Sequence, residues 1–549
     1  HTLSCLVSQA IQFRDQTHHL CDYQNDPNLG LKWSQIMKIR YDFEQTGSIF
    51  VDHLNNQCEH GYEFWGDVPH LIYTPAVNDY LSNLSFYLSH KEIPLLTSTT
   101  TAGKQLLLSY YACLSGSFIY ILRSFPDVSE IVLSRLFIGA ISSGSWLAFT
   151  NIDMISKQSL CYLFDTLRLY ISSYLSKINR ITIQTHSFDI NPNCRFFLTS
   201  NVNFMKSENI PSQLKSFVRP ISFSKPSDEF IINLKLMAYG YQQHQKLSRQ
   251  LLNFLNSFLI VTSQINSTPS LISKAMLIIK KAKDMLNNET TEQFTLIFSC
   301  YDHYISLCDE SKKNLLLRIM YSSFINELSE ADFNEKINHY KQSHEKEFLL
   351  EQIKLELYHL ALELPVAYLT EQIFNLITLM KTYSCIIIVG PPNSGKTTVL
   401  KVLKKLFDLE SIRSKIPNSK PFDISSLYHF SYKWNHIFGY AYEDQSLGPV
   451  FSYGQLQSSF SYLLRNSKKN HILKFDGKLT EKVSTFISQF VGSPHLHQIT
   501  MNTLDTFSIQ NGMYVVIETT NLNNATPLLL SKCGILQMNN LQLATPITP

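Results

Sequence analysis

At 549 residues the chain is too long for one hydrophobic core, and a rough prior of about 150 residues per domain predicts three or four units. With 44% apolar and 17% charged residues it reads as globular and not disordered, and a net charge of only +3 argues against a nucleic-acid surface. Lysine pairs such as Lys280–Lys281 and Lys404–Lys405 read as solvated helix faces. Ten cysteines with no CxxC pair and no zinc spacing fit a reduced intracellular compartment, and no apolar run approaches the roughly 20 residues that cross a bilayer. The chain opens on His1 with no signal-like segment before it, and it is expected to be a piece of something longer.

Residues 1–60 read as helical and polar. From 61 to 241, apolar strands alternate with helices: "FIYILRSF", a helix through "SEIVLSRLFIGAISS", then "SWLAFTNID", "CRFFLTSNV" and "RPISF". This alternation predicts a parallel sheet with helices on its faces. Within it, "TSTTTAGKQLLL" sets Gly103 and Lys104 before a helix, as the phosphate-loop pattern G-x-x-x-x-G-K-[ST] requires. Ser98 replaces the first glycine, however, and Gln105 replaces the magnesium-ligating Ser/Thr. The strand "GSWLAFTNID" ends in Thr150 and Asn151, where two carboxylates would be needed, and a neutral pair cannot organise a metal. This first site reads as a nucleotide fold that has lost its chemistry, with residual binding through Lys104 as the alternative.

From 242 to 363 the strand signals give way to leucine-rich helical periodicity, expected to form a lid or connector. The alternation resumes over 364–549, with "CIIIVG", "HILKFDG" and "MYVVIETTN" as strands. Here "GPPNSGKTT", running Gly390, Pro391, Pro392, Asn393, Ser394, Gly395, Lys396, Thr397 and Thr398, fits the full phosphate-loop pattern. Cys385 to Val389 supply the buried strand, and Gly395 lets backbone N–H groups approach phosphates. The helix from Thr397 favours negative charge at its start, Lys396 would reach the β- and γ-phosphates, and the Thr397 hydroxyl would ligate magnesium. A phosphate-free glycine turn is the plainer alternative.

A phosphate-loop ATPase also needs an acid at the end of a neighbouring strand, and "NHILKFDG" offers Asp476 for magnesium, through water, unless that aspartate merely begins an Asp-Gly turn. The next residue is Gly477, where hydrolytic AAA+ sites carry a glutamate that activates water. Losing a positioned base costs about 10²–10⁴ in rate, so the site should hold ATP better than it cleaves it. Glu518, ending "MYVVIE", is the one nearby carboxylate offered as a substitute.

With these residues in place, the chain resembles the dynein heavy chain motor over essentially its whole length: the end of the linker, then the first and second AAA+ modules. "LKWSQIMKIRYDF" resembles the last linker helix, and "YEFWGDVPHLIYTP" the opening of the first module. "LFIGAISSGSWLAFTNID" is similar to the acidic-strand region, with both acids gone. "FFLTSNVNF" is similar to the sensor strand and gives Asn201 the sensor role. "IPSQLKSFVRPISF" puts Arg219 where the family has an arginine. "GPPNSGKT", "FDG", "IETTNLNNATP" and "SKCGILQ" follow the family order, and "FGYAYEDQSLGPVFS" resembles the loop between two of them.

The resemblance implies tandem AAA+ phosphate-loop modules of the α/β class, ATP and Mg²⁺ as cofactors, and Gly477 as an inherited feature of a non-hydrolysing regulatory site. It places Lys532 as a finger-like residue, against the plainer reading of a surface lysine, and it makes Glu518 structural. It further implies cytoskeletal localisation, in a cilium or flagellum, with the remaining modules of a longer chain as partners. Intermediate and light chains and microtubules would be reached only through regions outside these residues, and neither nucleic acid nor membrane is expected. The weakened first module brings the chain nearest to divergent family members. A motor fragment, an ATP-binding scaffold and an unrelated phosphate-loop ATPase are the three readings. Thr150–Asn151 favours the scaffold, and the tandem order disfavours the unrelated enzyme.

Overall fold

In the computed structural model the described residues run from 7 to 539; outside them lie 1–6, 22–28, 66–70, 203–217, 262–270, 325–329, 360–365, 410–419, 492–497, 501–505 and 540–549, with shorter internal stretches. The chain divides into two compact units. The first comprises residues up to Ser227 with the hairpin segment Tyr440–Ser452; the second begins at Asp228.

The first unit is built on a parallel sheet of β1 (Ile93–Thr97), β2 (Ile119–Arg123), β3 (Trp146–Thr150), β4 (Arg195–Ser200) and β5 (Val218–Ser222), in the spatial order β5-β1-β4-β3-β2. Its register pairs Val218 with Ile93, Leu95 with Leu198 and Ile119 with Trp146. Every residue of β1 and β3 is buried, as a sheet covered on both faces demands. Neighbouring residues then serve opposite faces. Phe149 and Phe196 pack with Phe137 and Phe164, whereas Ala148 and Phe197 pack with Leu84 and Leu107. The covering helix Glu130–Ser143 starts where the Ser129 hydroxyl accepts the Val132 N–H and stops at Gly144, whose φ of 81° suits glycine.

The second unit repeats the design with β6 (Cys385–Val389), β7 (Phe422–Leu427), β8 (Asn470–Asp476), β9 (Met513–Thr519) and β10 (Gly534–Gln537). Its order, β10-β6-β9-β8-β7, is the same as that of the first sheet when strands are counted from each loop-bearing strand. Ile387, Leu473, Phe475 and Ile517 face one side; Ile386, Ile388, Ile472 and Val516 face the other, with Leu400 and Leu403 of the helix Lys396–Asp408. The expected tandem α/β architecture is therefore what the chain adopts.

Three expectations need correction. Residues 1–60 are not wholly helical: after the short helix Leu29–Ser34, Lys38–Tyr41, Ile49–His53 and Asn56–Glu59 form an antiparallel sheet. Gly47, at φ 63°, closes the first turn by donating to the Asp42 carbonyl at 3.1 Å, and the β-branched Ile39, Ile49 and Val51 suit the pleat. The helical block starts at Asp228, not 242, and belongs to the second unit. It is seated there by Lys274, whose ammonium donates to the Cys533 carbonyl at 2.9 Å, and by Ser306, which donates to the Ile535 carbonyl at 3.0 Å. Finally, the loop within "FGYAYEDQSLGPVFS" contains an antiparallel hairpin, Tyr440–Asp444 against Gly448–Ser452, and Phe451 lies under the Arg135 guanidinium, 5.0 Å from its ring centre.

Candidate nucleotide-binding sites

In an open parallel sheet, ligands gather beyond the C-terminal ends of the strands, where both loops lie. The second loop follows β6. Its Gly390 leaves no room for a side chain, because a Cβ there would stand 2.6 Å from the Met538 carbonyl oxygen and 2.9 Å from Ser394 Oγ. Asn393 adopts the left-handed φ of 63°, and Gly395, at φ 85° and ψ 13°, hands the chain into the helix that begins with Lys396. Pro392, Asn393 and Thr397 are exposed, while Ser394 is buried. The Lys396 ammonium donates to the Gly390 and Pro391 carbonyls at 2.7 and 2.6 Å and to Ser394 Oγ at 3.3 Å. Burial lowers its pKa below the ordinary value while Glu518 and Asp476 pull it back.

Asp476 ends β8 beside the loop, paired in register with Glu518, which is itself paired with Ile388 on β6. Strand pairing thus brings Glu518 to the centre of the site. Its Oε2 accepts the Thr397 hydroxyl at 3.0 Å and the Lys474 ammonium at 3.3 Å, and Lys474 also donates to Asp476 Oδ2 at 2.9 Å. Lys474 had no place in the sequence reading. The signal was present in "HILKFDG", a lysine interrupting an apolar strand two residues before the acid, hence on the same face.

These contacts bear directly on the expected metal. Magnesium needs near-octahedral oxygen ligands, and Thr397 and Asp476 were the ones expected. Here Asp476 is neutralised by an ammonium and Thr397 is committed to a glutamate that the same ammonium shares. The arrangement does not fit a divalent cation. Gly477, at φ 130°, has no side chain and donates its N–H to the Glu518 carbonyl at 3.2 Å, so position 477 itself supplies no water-activating base.

The first loop keeps the same backbone hand-off: Gly103 has φ 99° and ψ 17° before the helix beginning with Lys104 and Gln105. Its lysine is spent differently. Lys104, only 7% exposed, donates to the Ser98 and Thr99 carbonyls at 2.9 and 3.3 Å and crosses to the Ser200 carbonyl at 2.9 Å. Burial lowers its pKa to about 8, with Asp153 opposing. Thr150 donates its hydroxyl to the Leu122 carbonyl, and Asn151, in the left-handed region at φ 57°, gives its N–H to Thr199 Oγ1. Asn201, the expected sensor, donates its amide to Asp153 Oδ2 at 2.7 Å. Asp153 is a carboxylate outside the motif spacing, three residues beyond Thr150 and past the turn. Burial raises its pKa despite Asn201 and Lys104.

The two finger-like residues are each hydrogen-bonded within their own unit. Arg219 lies at the N-terminal end of β5, paired with Pro94 near the start of β1, and donates to Glu92 Oε1 at 2.7 Å. The segment 203–217 that leads to it is outside the described residues. Lys532 donates to the Ser488 carbonyl at 2.9 Å within its own unit. A cleft of about 850 Å³ beyond β7, lined by Ser426, Tyr428, His436, Tyr453 and Ser459 among others, includes no residue of the phosphate loop. No group of residues suited to holding a metal and no helix long and apolar enough to cross a membrane occurs among the described residues.

The profile of the family described as the hydrolytic ATP binding site of dynein motor region matches residues 60–397, ending at Thr397 in the second loop. Among curated proteins, the chain is 20% identical to dynein axonemal heavy chain 12 of Rattus norvegicus, over 99% of this chain and 17% of that protein. It is 21% identical to dynein axonemal heavy chain 3 of Mus musculus, over 99% and 13%, and 19% identical to cytoplasmic dynein 2 heavy chain 1 of Caenorhabditis elegans, over 92% and 12%. The chain therefore spans less than a fifth of the length of these relatives. Two sheets of one strand order, each with a Gly-Lys turn into a helix, are what a tandem AAA+ segment requires, and the family match covers well over half of the residues: the chain belongs to the dynein motor-region family.

Proposed function

We propose that this chain is an AAA+ segment of a dynein heavy chain-like protein that binds ATP in its second module, as a structural or regulatory site and not as an engine. The observation that carries this reading is the contrast between two like-shaped turns. Lys396 sits in an intact glycine loop, partly exposed beside exposed Asn393 and Thr397, whereas Lys104 is buried across three backbone carbonyls. The names of the relatives support a place in microtubule-based ciliary or flagellar machinery, with the further modules of a longer chain as immediate partners. Intermediate and light chains and microtubules would be engaged by parts beyond this segment.

Hydrolysis by these residues alone is very slow or absent. Gly477 offers no base, Thr150 and Asn151 offer neither metal ligand nor base, and fingers of the Arg219 or Lys532 kind, worth about 10³–10⁵ in phosphoryl transfer, are bound elsewhere. The test is calorimetric titration with ATP. One site per chain is expected, weakened about 10- to 100-fold by Lys396→Ala through loss of a charged hydrogen-bond donor, and unaffected by Lys104→Ala. Two equal sites, or sensitivity to Lys104→Ala, would overturn the reading.

A further inference from the structure

We infer that the second module takes its nucleotide without a divalent metal, the Lys474 ammonium serving as a built-in cation at the place where a phosphate-loop site ordinarily holds magnesium. The inference rests on the proposal that this module binds ATP, and it changes what that binding requires.

The geometry is specific. Along β8, side chains alternate between faces, so Lys474 shares a face with Ile472 and Asp476, the face covered by the helix that follows the phosphate loop. On β9 the same face carries Val516, register partner of Lys474, and Glu518, register partner of Asp476. A lysine on this otherwise apolar stripe can only direct its ammonium along the strands towards the loop. It ends 2.9 Å from Asp476 Oδ2 and 3.3 Å from Glu518 Oε2, the oxygen that also accepts the Thr397 hydroxyl. One expected magnesium ligand, Asp476, therefore binds this cation directly, and the other, Thr397, is joined to it only through the shared Glu518 oxygen.

Its burial reinforces the assignment. The Lys474 side chain is 6% exposed and that of Glu518 is 3%, and a buried carboxylate needs a cation or donors. Glu518 Oε1 has no hydrogen-bond partner among the described residues, so the cluster retains an unspent acceptor deep in the site. A divalent ion placed here would stand against Lys474 and compete with it for both carboxylates. With Lys396 and Lys474 against Asp476 and Glu518, the four side chains already balance in formal charge. Phosphate charge would be met by Lys396, the backbone N–H groups of the loop and the helix start.

The experiment is a calorimetric titration of ATP into the full chain, once with excess magnesium and once with excess EDTA. Wild type is expected to bind in both, with dissociation constants within about threefold of each other. Lys474→Met, which leaves Asp476 and Glu518 without their cation, is expected to bind at least about tenfold more weakly in EDTA than in magnesium. Lys474→Gln, which keeps a donor and loses the charge, guards against a folding failure of the first variant and should show the same dependence. A wild-type affinity that falls tenfold or more in EDTA overturns the inference and leaves the ATP site standing. Absence of binding in both conditions overturns the ATP site itself.

Discussion

The ammonium of Lys104 donates to the carbonyl of Ser200 at 2.9 Å, tying the first glycine turn to the end of the adjacent strand. A lysine so placed braces the turn, and its burial leaves a pH signature. Its pKa falls from 10.5 to about 8 in the folded chain. Between those values the unfolded chain holds a proton that the folded chain has released, so stability rises with pH across that window; below about 8 the full cost of burying the cation is present. Relative to Lys104→Met, wild type should therefore gain stability as pH is raised from about 8 towards 10.5. Denaturant unfolding of both proteins across that range checks it. A pH-independent difference would contradict the folded-state burial.

Gly390 is the tightest position of the second loop. A methyl group there meets the Met538 carbonyl at 2.6 Å and Ser394 Oγ at 2.9 Å, and a backbone oxygen cannot swing aside as a side chain can. Gly390→Ala is expected to cost about 1–3 kcal/mol in stability and to weaken ATP binding with it. Denaturation and titration of one preparation would show both losses, and an unchanged ATP affinity would mean that the loop shape is not what binds.

Single-turnover phosphate release should fall far below the roughly 1–10³ s⁻¹ of ordinary enzymes. Supplying the missing glutamate does not cure it. Gly477 sits at φ 130°, a conformation that side chains avoid, and its N–H is spent on the Glu518 carbonyl. Gly477→Glu is expected to lower stability without raising the rate. A wild-type rate in the ordinary range that Glu518→Gln abolishes would restore the motor reading.

Lys532, the last residue of the helix Pro527–Lys532, donates to the Ser488 carbonyl of the helix Glu481–Phe490. Lys532→Ala should cost about 0.5–1.5 kcal/mol of stability, the worth of an ordinary hydrogen bond, and leave ATP affinity unchanged. Parallel thermal unfolding and ATP titration measure the two effects, and a large affinity loss would place this ammonium in the site after all.

The two α/β sheets and the second phosphate loop were legible in the sequence because both are local. A strand buried on two faces must be apolar throughout, as "CIIIV" is, and the left-handed turn before each helix needs glycine, as at Gly103 and Gly395. The losses at Gln105, Thr150, Asn151 and Gly477 were readable for the same reason, since each is a side chain absent from a fixed spacing. The role of Glu518 was not, because it depends on β9 lying between β6 and β8, which sets Glu518 beside both Ile388 and Asp476. Lys474 interrupts an apolar run, and only that pairing supplies its second carboxylate. Asp153 likewise reaches Asn201 only through the turn at Asn151 and the neighbouring strand. The antiparallel sheet over Lys38–Glu59 is not legible in the sequence, because its strands are short and mostly exposed, with hydrophobic periodicity too weak to separate a strand from a polar helix. Chain-local chemistry showed which glycine turn keeps the full phosphate-loop pattern; strand neighbours, distant in sequence, decided which charges surround it.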